Sequence, residues 1–199
     1  MGRLYESIDE RLAAFIDRQP MFFVATAPSG SGGHVNCSPK SNNGDLVVLA
    51  GREVAYRDLT GSGVETIAHL RDNGRIVIML CAFEGPPRIV RLHGHGEAIV
   101  RPDQRFTALA ARFPEHGGTR AFIRVDVERI SDSCGYGVPL MTFVGHRENL
   151  DHWAETKGPQ GMADYRAEKN AQSLDGLPGL PDPDETPEAQ VGRGAPSGG

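Results

Sequence analysis

The sequence predicts an α+β fold, mainly antiparallel, with six or seven strands curled into a β-barrel and helices set around it. Between Met21 and Val100, short apolar runs recur between turns rich in Gly, Pro and Asn, which is the rhythm of short strands. Helical periodicity is confined to a few segments. A doubly wound sheet, which needs a helix after nearly every strand, therefore does not fit. The length of 199 residues and hydrophobic content of 39% suffice for one domain with a real core plus appendages.

Each element has its own signal. Leu4, Ile8, Leu12, Phe15 and Ile16 recur at helical spacing over Leu4 to Arg18, and Pro20 ends that helix. Met21 to Ala27 is a compact strand closed by Pro28 and the loop from Ser29 to Gly33. His34 to Ser38 alternates, with Val35 and Cys37 opposite His34, Asn36 and Ser38. Leu46 to Ala50 and Val54 to Leu59 follow as strands. Val64, Ile67, Ala68 and Arg71 mark a helix that Asn73-Gly74 stops. Arg75 to Phe83 returns to strand, and Arg88 to Val100 reads as a strand pair or one long bent strand. Gly94 and Gly96 suggest a bulge there. Asp103 to Phe113 is a helix and Ala121 to Ile130 a strand. Beyond Val144, Arg147 to Lys157 and Met162 to Gln172 read as two short helices. The expected organisation is a barrel domain over 1–145, a helical extension over 146–177, and a disordered tail over 178–199, where Pro, Gly and acids leave almost nothing to bury.

Composition narrows the function classes. A formal charge of −5 argues against a nucleic-acid partner held by net basicity. No apolar run is long enough to span a bilayer, so no membrane association is expected. Met1 to Glu10 lacks the apolar stretch of an export signal, and three cysteines form no disulfide framework. Reduced thiols and a cytoplasmic address are expected.

Three clusters carry candidate chemistry. In YRDLTGSGVET, from Tyr56 to Thr66, the residues Thr60, Gly61, Ser62 and Gly63 form a turn from strand to helix. Such a junction aims backbone N–H groups and hydroxyls at an anion. The alternative is a plain capped helix, with Ser62 as N-cap and Glu65 closing a capping box. The second cluster puts Asn36 and Ser38 on one strand face and ends at Lys40, suited to a phosphate or, more blandly, to solvent. The third is Arg88 to His95, where Arg91 sits between apolar neighbours. His93 and His95, with His34, are a weaker metal candidate lacking a carboxylate or Cys partner at ligand spacing, and no metal site is expected. No residue is singled out as catalytic. Cys134 lies in a Gly-rich loop with nothing nearby to activate its thiol.

The motif order FFVATAP, GHVNCSPK, YRDLTGSGVETIAHLRDNGRI, GPPRIVRLHGHGEAIV and SCGYGVP resembles the pyridoxamine 5′-phosphate oxidase-like flavoproteins over roughly Met21 to Thr142. That resemblance implies a split β-barrel, a homodimer, and FMN in clefts shared between subunits. It implies roles for Lys40 as the cation toward the phosphate or pyrimidine, and for Asn36 and Ser38 as donors to the ring or ribityl chain. Tyr56, Arg57 and Asp58 would line the strand beside the ring, Thr60, Ser62 and Thr66 would hold the phosphate, and Arg91 would face ring or phosphate. True pyridoxamine phosphate oxidases carry an Arg/Lys pair at the start of this helix, where Val64-Glu65-Thr66 stands here. Their C-terminal substrate segment is not recognisable either. The expectation is an FMN-dependent oxidoreductase on an unidentified small molecule, not a vitamin B6 oxidase. The alternatives are a deazaflavin-dependent reductase, a dimeric flavin- or haem-binding module without turnover, and a degenerate scaffold.

Overall fold

A computed structural model describes residues 2–181. The seven main strands are β2 (Met21–Thr26), β3 (Asn36–Ser41), β4 (Leu46–Ala50), β5 (Glu53–Leu59), β6 (Arg75–Cys81), β7 (Ile89–Ile99) and β8 (Thr119–Ser133). They form one antiparallel sheet in the order β3-β2-β6-β7-β8-β5-β4, and the short β1 (Leu4–Tyr5) adds to β8. The sheet curls so that the β3 end meets β5, and a Lys40–Asp58 ion pair bridges the gap. This is the split barrel of the α+β class that the strand rhythm and motif order predict.

Alternation decides which side chains fill it. Phe22 and Val24 of β2, Ile78 and Leu80 of β6, Val90 and Leu92 of β7, and Val54 and Tyr56 of β5 all point into one buried core. The register pairs Lys40 with Phe22, Ser38 with Val24 and Asn36 with Thr26, so the polar row of β3 shares the inner face. The sequence-based reading gave this strand an apolar second face. In the structure the outer residues Cys37, Pro39 and Ser41 are exposed instead.

The helices differ from the sequence expectation mainly at their starts. Helix α1 (Glu10–Arg18) buries Leu12, Phe15 and Ile16, and the Asp9 side chain caps it by accepting from the Leu12 N–H at 2.8 Å. It does not reach back to Leu4. That residue and Tyr5 pair with Ser131 and Ile130, and the Tyr5 hydroxyl donates to Asp132 at 2.5 Å. Leu4 fell in helical phase with Ile8, but a long-range pairing partner took it.

Helix α2 (Glu65–Asn73) ends at Gly74, whose φ of +72° places it in the left-handed region that favours glycine. Arg88 to Val100 resolves into the single strand β7, with a register shift between His93 and Gly94. A Cβ on Gly94 would lie 2.0 Å from the Asp126 carbonyl oxygen, so glycine is what lets the bulge close.

Helix α3 (Gln104–Ala110), capped by Asp103, covers a second cluster on the outer face: Ala55, Ile99, Phe106, Leu109, Phe113 and Phe122. The two short helices expected after Val144 are both present within α4 (Asn149–Lys169), separated by the non-helical Gly158 before Pro159. Residues 170–181 then run back across the start of α2. Of the tail expected over 178–199, residues 182–199 lie outside the described residues. No described helix is long and apolar enough to cross a membrane.

Candidate functional site

The inner row of β3 builds the site. Asn36 donates from Nδ2 to the Thr66 hydroxyl at 3.1 Å, and the Ser38 hydroxyl donates to Asn36 Oδ1 at 3.0 Å. Thr26, opposite Asn36, shares a hydrogen bond of 2.9 Å with His69 Nδ1. These groups face the first turn of α2, where the N-cap residue is Val64 and no side chain caps the helix. The capping-box alternative is therefore corrected. Ser62 is exposed, and Glu65 instead accepts from the Leu174 N–H at 3.2 Å. The turn leaves backbone donors of the first helical turn without side-chain partners, the arrangement that favours an anion.

Two buried polar atoms beside this turn are unsatisfied. The Tyr56 hydroxyl lies near Thr66 but completes no hydrogen bond of acceptable geometry, and His69 Nε2 has no partner. Both residues are fully buried. Burial pushes the Tyr56 phenol well above its ordinary value, and the Asp58 carboxylate adds to the effect. A buried polar atom left without a partner costs about 1–3 kcal/mol, so the Tyr56 hydroxyl and His69 Nε2 are groups that a ligand can satisfy.

Asp58 follows on the same strand face. Lys40 reaches one oxygen at 2.8 Å and Arg120 the other at 2.7 Å. Burial works to raise this acid, but the two cations outweigh it and hold the carboxyl below its ordinary range. Arg120 also donates to Asn170 Oδ1 at 2.9 Å. The Thr60 hydroxyl donates to the Gly118 carbonyl and accepts from Arg166, each at 2.8 Å.

The sequence-predicted residues thus divide. Asn36, Ser38, Lys40, Tyr56, Asp58, Thr60 and Thr66 come together along the split and the β5–α2 turn. Arg57 does not: strand alternation sends it to the outer face, where it pairs with Asp45 and donates to the Pro114 carbonyl. Arg91 points outward from β7 and donates to the Ser133 hydroxyl at 3.0 Å. Ser62 forms no side-chain hydrogen bond among the described residues. The three histidines also separate. His34 pairs with Asp175 at 2.6 Å and His95 with Glu128 at 2.9 Å, and no described group of His, Cys, Asp and Glu could hold a metal.

Sequence reasoning missed Thr26, His69, Arg120, Arg166 and Asn170. His69 hides in the apolar stripe of α2, between Ala68 and Leu70. Arg120 was visible only as a charged residue at the start of β8. One further feature bears on access. The segment after α4 covers the helix start: Asp175 accepts from the His34 N–H at 2.8 Å, and Gly179 O accepts from Arg71.

A split barrel whose seam is lined by amide, hydroxyl and lysine groups around an uncapped helix start defines a class of small β-barrel proteins. Within it, the family model described as "Pyridoxamine 5'-phosphate oxidase" matches residues 8–134. The "Pyridoxamine 5'-phosphate oxidase family protein ustO" of Aspergillus flavus is 40% identical over 196 residues, covering 90% of this chain and 78% of that protein. The chain belongs to the pyridoxamine 5′-phosphate oxidase family. Among solved structures, the H111A variant of HupZ from Group A Streptococcus is similar at 22% identity and a TM-score of 0.49, covering 63% of this chain and 99% of that one. An FAD-binding protein from Mycobacterium smegmatis is similar at 14% identity and a TM-score of 0.44, covering 65% and 97%.

Proposed function

We propose that this chain binds FMN along the split between β3 and the β5–α2 turn, and acts as a homodimeric oxidoreductase on a small molecule. The observation that carries the reading is the uncapped start of α2, with the unsatisfied Tyr56 hydroxyl and the Asn36–Thr66 pair beside it. The residues fit the cofactor in kind. Backbone N–H groups and Thr66 suit a phosphate, while Asn36 and Ser38 offer the paired donors and acceptors that orient a flat heterocycle or its polyol chain. When bound, the flavin supplies the hydride or electron chemistry, and the protein's part is orientation and electrostatics.

The division of charge is specific to this chain. Glu65 occupies the helix start, and Lys40 already serves Asp58, so phosphate binding relies on hydroxyls and N–H groups more than on a cation. This is why we do not assign the chain as a vitamin B6 oxidase. The phosphate must also displace or share space with residues 174–179, which lie over the same turn. The homodimer rests on family membership and on the half-buried outer row of Phe23, Met79 and Ile89, an apolar strip next to Arg91. Of the three histidines considered for haem, His34 and His95 engage different carboxylates, and only His93, with a buried Nδ1 that has no described partner, is left to offer a ligand.

Purification of the full chain tests the reading. A yellow protein that bleaches under dithionite, releases FMN on heating and sediments as a dimer is the expected result. A colourless protein whose melting temperature does not rise with added FMN contradicts it, because a ligand that binds only the native state must stabilise it. Release of a deazaflavin instead of FMN overturns the choice of cofactor.

A further inference from the structure

On the far side of Asp58 from Lys40, a cavity of about 450 Å³ opens between the end of β7, the start of β8, α4 and residues 171–181. Three arginines border it: Arg101, Arg120 and Arg166. Only Arg120 has a carboxylate partner among the described residues, and that partner, Asp58, is already shared with Lys40. Arg166 spends its donors on neutral oxygens, the Thr60 hydroxyl and the Thr119 carbonyl. Arg101 stacks its guanidinium over Phe106 at 4.1 Å and forms no ion pair among the described residues. Arg120 thus borders the cavity with its one carboxylate already shared with Lys40, and Arg101 and Arg166 border it with no carboxylate of their own among the described residues.

Such a cluster is unfavourable by itself. Partly burying a guanidinium without a counter-charge costs free energy, and each neighbouring cation raises that cost. The Arg166 guanidinium registers it: burial foremost, then Arg101 and Arg120, ease its proton off relative to an ordinary arginine. A bound anion offsets these costs by an attraction to each guanidinium. The remaining wall is apolar, contributed by Val100, Ala163, Ala167 and Leu180.

A second cavity of about 570 Å³ adjoins on the other side of Arg101 and Arg166. It carries Glu115, Asp151 and Glu155 on its wall, and none of these pairs with either arginine. His116 takes Asp151 instead, at 2.5 Å. This cavity sets three carboxylates against Arg101 and Arg166, whereas the first holds all three arginines and no carboxylate among the described residues, so an anion is favoured in the first.

We propose that the Arg101–Arg120–Arg166 cavity is a binding site for a small organic oxyanion, a carboxylate or phosphate ester carried on an apolar body. The guanidiniums would take the oxyanion head through charge-assisted, planar hydrogen bonding, and the alanine and leucine wall would take the body. The site adjoins the flavin cleft through the Arg120–Asp58 and Arg166–Thr60 contacts, but it opens on the other side of those residues and does not depend on that reading.

The test is calorimetric titration of the full-length protein with benzoate, phenyl phosphate and benzyl alcohol. One or both anions should bind and raise the melting temperature, and the neutral alcohol should not; the tighter anion identifies the head group. Arg166→Gln and Arg101→Gln should each weaken binding by about tenfold, the loss expected for one charge-assisted contact. Arg101 is exposed, so Arg101→Gln keeps the fold even if Arg166→Gln does not.

Equal binding of the alcohol, no binding of either anion, or parent-like binding by Arg101→Gln overturns the proposal. So does displacement of FMN by benzoate, which would merge the two sites. Binding seen only after Asp182→Asn, Asp184→Asn and Glu185→Gln are combined would show that the arginines serve the chain's own acids, and would also overturn it.

Discussion

Neighbouring residues of one strand, Arg57 and Asp58, enter two buried ion-pair systems that differ in their balance. Arg57 meets Asp45 one to one on the outer face, with the Pro114 carbonyl taking a further donor. Asp58, on the inner face, is a single anion between Lys40 and Arg120, with Arg166 close behind. The first system is closed: each charge has its counter-charge, and nothing faces a cavity given above. The second is open, with surplus positive charge bordering a cavity and a split seam. The contrast separates scaffold from site more clearly than burial does, since both systems are almost wholly buried.

The largest effect should come from breaking the open system at its centre. Asp58→Ala leaves Lys40 and Arg120 facing each other without an anion, and should cost about 3–5 kcal/mol of stability in urea unfolding, the range for an orphaned buried charge. A loss below ~1 kcal/mol would show that solvent already screens the cluster. Breaking the closed pair should cost less. Arg57→Met orphans Asp45, but burial already raises that acid against the pull of Arg57, so it can take up a proton and neutralise itself. A loss of about 2–3 kcal/mol is expected, shrinking in acid.

Acid sharpens the comparison, because the two acids have opposite signs. The Asp58 carboxyl is held below the ordinary aspartate value of 3.8, so the stabilisation it provides is complete above that value and is lost as pH falls through its lower folded value. Asp45 is raised, so its proton uptake favours the fold as pH falls. Urea midpoints measured across the acid range should drop less steeply in Asp58→Asn than in the parent chain. An identical slope in both would remove Asp58 from the account. The smallest effect belongs to Ser62→Ala, which should shift stability by less than ~0.5 kcal/mol, as expected for a surface side chain without a described partner.

How much of this was legible beforehand follows a physical line between local and distant causes. Alternation put Asn36, Ser38 and Lys40 on one face of β3, and the Gly74 stop of α2 was readable because both are properties of a few adjacent residues. The same alternation separates Arg57 from Tyr56 and Asp58, which the family pattern had grouped together as lining one ring. Leu4 to Tyr5 read as helix because its partner strand lies more than a hundred residues away, beyond the reach of any periodicity. Arg166 and Asn170 were invisible for the same reason. They join Thr60 and Gly61 across 106 and 109 residues, and nothing in their own neighbourhood marks them. The Ser62–Glu65 capping box fitted its motif, yet Glu65 found the Leu174 N–H instead.

The central claim is that a flavin sits at the uncapped start of α2, against Asn36 and Thr66. It is tested most directly by titrating FMN into the apoprotein of four forms: the parent chain, Asn36→Ala combined with Thr66→Val, Ser62→Ala and Arg101→Gln. The account predicts affinity about tenfold or more weaker in the first variant, from the loss of one contact to the phosphate and one to the ring or polyol chain, and unchanged affinity in the other two. Parent-like affinity in Asn36→Ala/Thr66→Val, with FMN lost in Arg101→Gln, would contradict it and place the flavin in the arginine-lined cavity.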